Sequence, residues 1–232
     1  MIIIDTQRHE SVFDYKQFLE PIHVIGVGGV GSHVACHLVK LGCGVLNELH
    51  VWDGDTVATH NLANQMYDSS DVGHLKVAAL QRRASTFGGI TLKQHPVFFE
   101  PPQQVKGVVF LCVDTMSARR QILNMGIKGN TEVPLFIEVR MDATSVLMHV
   151  VDPSNPRHIR QWEKYWYPDE DADNQIAGCG GRVAVGPTAS IAADYAVWQF
   201  IRYAAIVQGG SDILDNQIRL TMRPLSLKTF QW

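Results

Sequence analysis

The sequence predicts an α/β fold, with a predominantly parallel sheet, antiparallel C-terminal strands and helices on both faces. Three observations point there. Short apolar runs recur at 22–27, 49–52 and 108–113, and such runs suit buried parallel strands rather than half-exposed ones. Helix-compatible stretches separate them, as crossovers between parallel strands require. The first run also breaks into Gly26-Val27-Gly28-Gly29-Val30-Gly31-Ser32, a glycine turn leading into a helix from His33 to Leu41.

The elements follow in order. Residues 1–20 mix apolar Ile2–Ile4 with Arg8, His9 and Glu10, and read as a lead-in strand or short helix. The second run ends on Asp53-Gly54-Asp55, and the polar segment His60-Asn61-Leu62-Ala63-Asn64-Gln65 comes soon after. Asp71-Val72-Gly73-His74-Leu75-Lys76 opens the next helix, with Asp71 as a candidate N-cap. Gly88-Gly89 then leads to a strand over 90–99, and Pro101-Pro102 closes it. The run at 108–113 ends on Asp114, and a helix begins near Ser117. Residues 134–139 continue through Arg140-Met141-Asp142 into a hairpin return at 144–151. Prolines, tryptophans, tyrosines and Asp169-Glu170-Asp171 make 152–186 read as a long crossover-type loop. Pro187 starts an apolar helix, with proline suited to its first turn, and 218–222 reads as a closing strand. The whole chain, 1–232, is expected to form a single domain.

Composition narrows the function. With 46% hydrophobic and 19% charged residues the chain is an ordinary globular sequence, long enough to bury its own core. A net charge of −3 argues against nucleic acid as the main partner. No positively charged start with an apolar core and no membrane-length run is present, so a cytoplasmic protein without membrane contact is expected. Cys36, Cys43, Cys112 and Cys179 include no C-x-x-C pair, which argues against a tetrahedral zinc site built from paired cysteines.

A strand, a glycine turn, a helix and a second strand ending in a carboxylate form the unit that holds a nucleotide. Glycines let backbone approach phosphate, and the helix N-terminus supplies N–H donors and partial positive charge. Asp53 closes the second strand where a carboxylate accepts from ribose hydroxyls. That much also fits an NAD-dependent oxidoreductase. Lys76, Asp114 and the Asn61–Gln65 segment have no place in that reading.

These segments, with Val72-Gly73, Cys112-Val113-Asp114 followed by Arg119, and Cys179 eight residues before Pro187, resemble the E1-like family of the ThiF and MoeB type. The resemblance covers most of 22–205. It implies a Rossmann-like domain that uses ATP and Mg²⁺ to adenylate a substrate carboxylate, such as the C-terminus of a ubiquitin-like or sulfur-carrier protein. Carried over by position, Gly26, Gly28, Gly29 and Gly31 bear on the phosphates, with Asp55, Asn61 and Gln65 as further nucleotide contacts. Lys76 neutralises the departing pyrophosphate and Asp114 is the magnesium carboxylate. A lone helix lysine is ordinarily just solvated, so the resemblance is what raises Lys76 to a catalytic role.

Two features stand apart. The family's Asn-Leu-Asn-Arg-Gln reads here Asn61-Leu62-Ala63-Asn64-Gln65, without the phosphate-directed arginine. Arg8, Arg140 and Arg182 are the candidate replacements. Arg8 comes first, because in family homodimers an N-terminal arginine reaches the neighbour's site. Cys179 matches the acceptor cysteine of sulfur-carrier activators and would take the acyl group as a thioester; equally, it fits as a small residue among loop glycines. The chain is thus expected to be a minimal activator, and the alternative is an E1-like scaffold that binds nucleotide or partner without catalysis.

Overall fold

The computed structural model describes residues 4–100, 104–171 and 183–232. Eight strands form one sheet in the order β3-β2-β1-β4-β5-β6-β7-β8. They are β1 (Ile22–Ile25), β2 (Leu49–Trp52), β3 (Lys93–His95), β4 (Val108–Leu111), β5 (Leu135–Met141), β6 (Ser145–Val151), β7 (Gln217–Met222) and β8 (Leu225–Phe230). The first five pair in parallel and the last four antiparallel, with β5 belonging to both sets. The predicted architecture is therefore the observed one.

The helices are α1 (Gly29–Lys40), α2 (Lys76–Gly88), α3 (Met116–Ile122), α4 (Pro156–Glu163) and α5 (Gly186–Val207). Alternation along each strand sorts side chains between two cores. Ile22, Val24, Leu49, Val51, Val108 and Phe110 face α1, α2 and α5. Ile25, Trp52, Val109, Leu111 and Phe136 face the other way, onto Ile122 of α3, the wider turn Leu123–Ile127 and Ile159 and Trp162 of α4. Both faces are covered, as a central parallel sheet requires.

The chain leaves β1 for β2 and β3 on one side, then returns to β4 on the other side of β1. That reversal opens a crevice at the carboxyl ends of β1 and β4, the usual ligand position in such sheets.

Several expectations need correcting. The 152–186 stretch contains α4 and a short turn at Asp169–Asp171, so it is not one long loop. Asn155 caps α4 by accepting from Arg157 N, and Pro156 occupies its first turn. The strand expected over 90–99 shrinks to Lys93–His95. A last strand, β8, follows the closing strand. Asp71 does not cap α2: its carboxylate accepts from Asp68 N and pairs with Arg82 and Arg83, while Leu75 precedes the helix without a side-chain cap.

Candidate active site

The glycine turn sits at the reversal point, and packing dictates two of its glycines. Gly26 has φ +83°, and a Cβ there would lie 2.9 Å from Val113 N and 3.0 Å from the Cys112 carbonyl. A Cβ on Gly31 would fall 1.9 Å from Gly26 O. These two let β1, β4 and α1 close on one another. Gly28 and Gly29 are different, because a side chain there would meet nothing nearer than 3.9 Å. Gly28 precedes α1 without a side-chain cap, so the first N–H groups of this twelve-residue helix face that open side.

At the tip of β2, Asp53 is buried and holds the turn together. Its Oδ2 accepts from Val27 N at 2.9 Å, and its Oδ1 accepts from Asp55 N at 2.9 Å. Burial raises its pKa, and the Lys76 charge partly opposes that rise. Lys76, the first residue of α2, is itself only 8% exposed at its side chain. Its Nζ donates to Asp55 Oδ2 at 2.8 Å and lies 3.8 Å from Asp53 Oδ1. The backbone fixes this placement: Lys76 N donates to Asp55 O, and Val57 N donates to His74 O. Lys76 is thus no solvated helix lysine but a buried cation held between two carboxylates.

The Asn61–Gln65 segment runs over the start of α1. Met66 N donates to Ser32 Oγ at 3.0 Å, and the Tyr67 hydroxyl donates to Val27 O at 2.7 Å. Asn61 Oδ1 accepts from Ala58 N at 2.8 Å, which gives it a structural duty in shaping the segment. Gln65 Nε2 is the group nearest to Gly28, and Gln65 Oε1 and Asn64 Oδ1 are buried acceptors with no partner among the described residues. Sequence reading missed Ser32 and Tyr67, and only Ser32, at the end of the glycine run, carried any signal.

Asp114 stands exposed just beyond β4, across the turn from Asp53. The loop bearing it is pinned from beneath. Arg119 donates through Nη2 to Val113 O and through Nη1 to Glu138 Oε1 at 2.6 Å. Arg140 Nε reaches the same oxygen at 2.6 Å, while Glu138 Oε2 meets His149 Nδ1 at 2.8 Å and Trp162 Nε1 at 3.2 Å. Burial pushes the Glu138 carboxyl up, but the Arg119 and Arg140 guanidiniums and His149 outweigh it and hold it well below the ordinary range. Burial lowers the His149 pKa despite Glu138, which keeps the imidazole neutral. Gln217 Nε2 then donates to His149 Nε2 at 3.0 Å, leaving Nδ1–H to donate to Glu138. Asp169 adds a clamp, accepting from Met116 N at 2.6 Å and Ser117 N at 3.1 Å at the start of α3.

The candidate replacement arginines fare differently. Arg140 belongs to the Glu138 network and donates to Tyr165 O at 2.6 Å. Arg8 is exposed, and among the described residues no hydrogen bond or ion pair joins it to the site. Arg182 and Cys179 lie outside the described residues. No group of three or more His, Cys, Asp or Glu side chains among the described residues is arranged to hold a metal. Magnesium keeps several waters and takes one or two carboxylates with substrate phosphates. One exposed aspartate at the crevice therefore fits a nucleotide-borne ion, not a cage made by protein alone. No helix among the described residues is long and apolar enough to cross a membrane.

Comparison with known proteins bears on this geometry. The ThiF family model matches residues 20–232. Ubiquitin-like modifier-activating enzyme 5 of Caenorhabditis briggsae is 28% identical over 165 residues, covering 63% of this chain and 37% of that protein. The chain thus spans little more than a third of that curated relative. Among solved structures, PaaA superposes with a TM-score of 0.69 at 16% identity, covering 98% of this chain and 68% of PaaA. Escherichia coli MccB with ATP gives 0.67 at 14% identity, covering 94% of this chain and 65% of MccB. At such identities the structural likeness establishes the fold alone.

Proposed function

The chain belongs to the ThiF family, and from that premise we propose that it is an ATP-dependent adenylating enzyme. In the reaction, an oxygen of a substrate carboxylate attacks the ATP α-phosphorus. The new P–O bond gives an acyl-adenylate, the α–β bridging bond breaks, and pyrophosphate leaves with the electron pair. The observation that carries this reading is the placement of Lys76, buried between Asp53 and Asp55 beside a glycine turn that Asp114 flanks from β4.

Each residue has a physical task. The N–H groups at Gly28 and Gly29 donate to phosphate oxygens, and Asp53, held by Val27 and Asp55, accepts from the ribose. Lys76 exchanges its Asp55 contact for the pyrophosphate as charge builds there. Asn61 and Gln65 line the phosphate side. Asp114 would hold Mg²⁺, which supplies charge neutralisation on the phosphates when bound. Relatives support a polypeptide substrate: one is named a ubiquitin-like modifier-activating enzyme, and MccB has been solved with ATP and with MccA. The substrate class we favour is the C-terminal carboxylate of a ubiquitin-like or sulfur-carrier protein. Onward transfer to Cys179 and a homodimer in which Arg8 serves the neighbouring site complete the scheme.

One observation favours a second reading. Asn64 stands where the family carries an arginine, and its amide oxygen is buried without a partner among the described residues. A scaffold that binds nucleotide without adenylating would tolerate that loss. ATP–pyrophosphate exchange separates the two. The enzyme exchanges label in the presence of a carboxylate substrate, and Asp114→Ala abolishes the exchange; nucleotide binding without exchange under any partner supports the scaffold.

A further inference from the structure

Beyond β3, the loop carrying Val97 and Phe98 leaves two large apolar side chains exposed, Phe98 at 61%. The next residue, Phe99, is buried against Trp52, so the loop is anchored and not simply splayed outward. One part of the Phe98 ring rests on Gly54, between the two aspartates at the tip of β2. A Cβ on Gly54 would lie 3.1 Å from both Cδ2 and Cε2 of the ring and 3.2 Å from Cζ. Glycine at 54 therefore gives the ring its seat, and the rest of the ring is open to solvent.

An aromatic ring held there sits next to the carboxylate assigned to the ribose. Asp53 is tethered to Val27 N, on the phosphate side, and to Asp55 N, on the Gly54 side. A nucleotide whose phosphates lie at Gly28 and whose ribose meets Asp53 runs its base outward, past Gly54. We propose that Phe98 is the platform for the nucleotide base, stacking on it and ordering Gly54 beneath. This inference rests on the adenylation reading above and adds a residue that no motif in the sequence marks. The chemistry is face-to-face contact with a π-system, which is tolerant of base identity. It therefore distinguishes a nucleotide from bare polyphosphate and leaves ATP and GTP alike.

The test is calorimetric titration of the full chain, and of its Phe98→Ala, Phe98→Tyr and Gly54→Ala variants, with ATP, GTP and inorganic tripolyphosphate. Base stacking of this kind predicts about tenfold weaker ATP and GTP binding in Phe98→Ala, with tripolyphosphate binding unchanged. Phe98→Tyr retains wild-type affinity, and Gly54→Ala, which displaces the ring while leaving it in the chain, repeats the loss. Equal ATP affinity in wild type and Phe98→Ala overturns the platform and leaves adenylation standing. Loss of ATP and tripolyphosphate together overturns it too, because Phe98 then only supports the loop. An altered oligomeric state at unchanged ATP affinity makes Phe98 a contact between copies, again against the proposal. A wild-type chain that binds neither ATP nor GTP overturns both readings at once.

Discussion

The two halves of the crevice handle charge in opposite ways. On the β2 side, at the carboxyl end of the sheet, buried Lys76 lies beside buried Asp53 and donates to Asp55, whose carboxylate is exposed to solvent and free to let the lysine go. On the β4–β5 side, Asp114 is the exposed carboxylate just beyond the strand, with half-buried Asp169 spent on the start of α3. The strong charges there, Arg119, Arg140 and Glu138, are buried behind it and joined to His149, Trp162 and Gln217. Pairs that must release a partner belong at the edge; networks that must hold a loop still belong inside. Arg119 shows the second case, since its guanidinium grips the carbonyl just before Asp114 rather than a ligand.

That contrast predicts a ranking of effects. Glu138→Gln should be the most damaging change, because it leaves two buried guanidiniums without their counter-charge. We expect a loss of about 3–5 kcal/mol in urea unfolding, with Lys76→Met much milder on the same assay. Comparable losses for the two would erase the distinction between the halves. Gly31→Ala comes next, since its Cβ must displace Gly26 O from 1.9 Å; about 1–3 kcal/mol is expected, with weakened ATP binding. Tyr67→Phe, which removes one hydrogen bond to Val27 O, should cost about 0.5–1.5 kcal/mol.

A further effect, small at neutral pH, is a pH slope. Burial lowers the pKa of His23 to about 3, with His50 and His95 adding to the fall. The unfolded imidazole, near about 6.5, binds a proton more readily than the folded one, so stability is lost as pH falls from about 6.5 towards the folded value. His149 acts in the same direction. Glu138 adds a steeper loss at lower pH: its depressed carboxyl contributes stability above the unfolded value of about 4.3 and loses it as pH falls through the folded one. Replacing His23 with Phe should flatten the upper part of this slope in a pH series of unfolding curves.

The contrast also explains what was legible in the sequence. Gly26, Gly31 and Asp53 could be read because glycine turns and strand-end charges act through local spacing, whereas Lys76 was marked by the family resemblance alone. Glu138 and His149 could not, since each sits among apolar neighbours in its strand, and no motif ties them to the Arg119, Arg140 and Gln217 side chains that satisfy them. Asp169 read as part of a long loop, yet it holds the start of α3 from more than fifty residues away. The helix α4 was hidden by the prolines and aromatics around it, although Asn155-Pro156 is a sound start signal. The strand β8 alternates weakly and stays mostly exposed, so burial offered little pattern to detect. Asn64 marks the limit of resemblance: the missing arginine was plain, and within this chain Arg140 is committed to the Glu138 network while Arg8 is exposed.

The most direct test of the edge-and-interior account is ATP–pyrophosphate exchange with a peptide ending in Gly-Gly, run beside thermal melts of each variant. The account predicts that Lys76→Met and Asp114→Ala each lose exchange by about a hundredfold or more with melting close to wild type. Exchange that survives both substitutions, or is absent from a wild-type chain that binds ATP with every carboxylate offered, would contradict it.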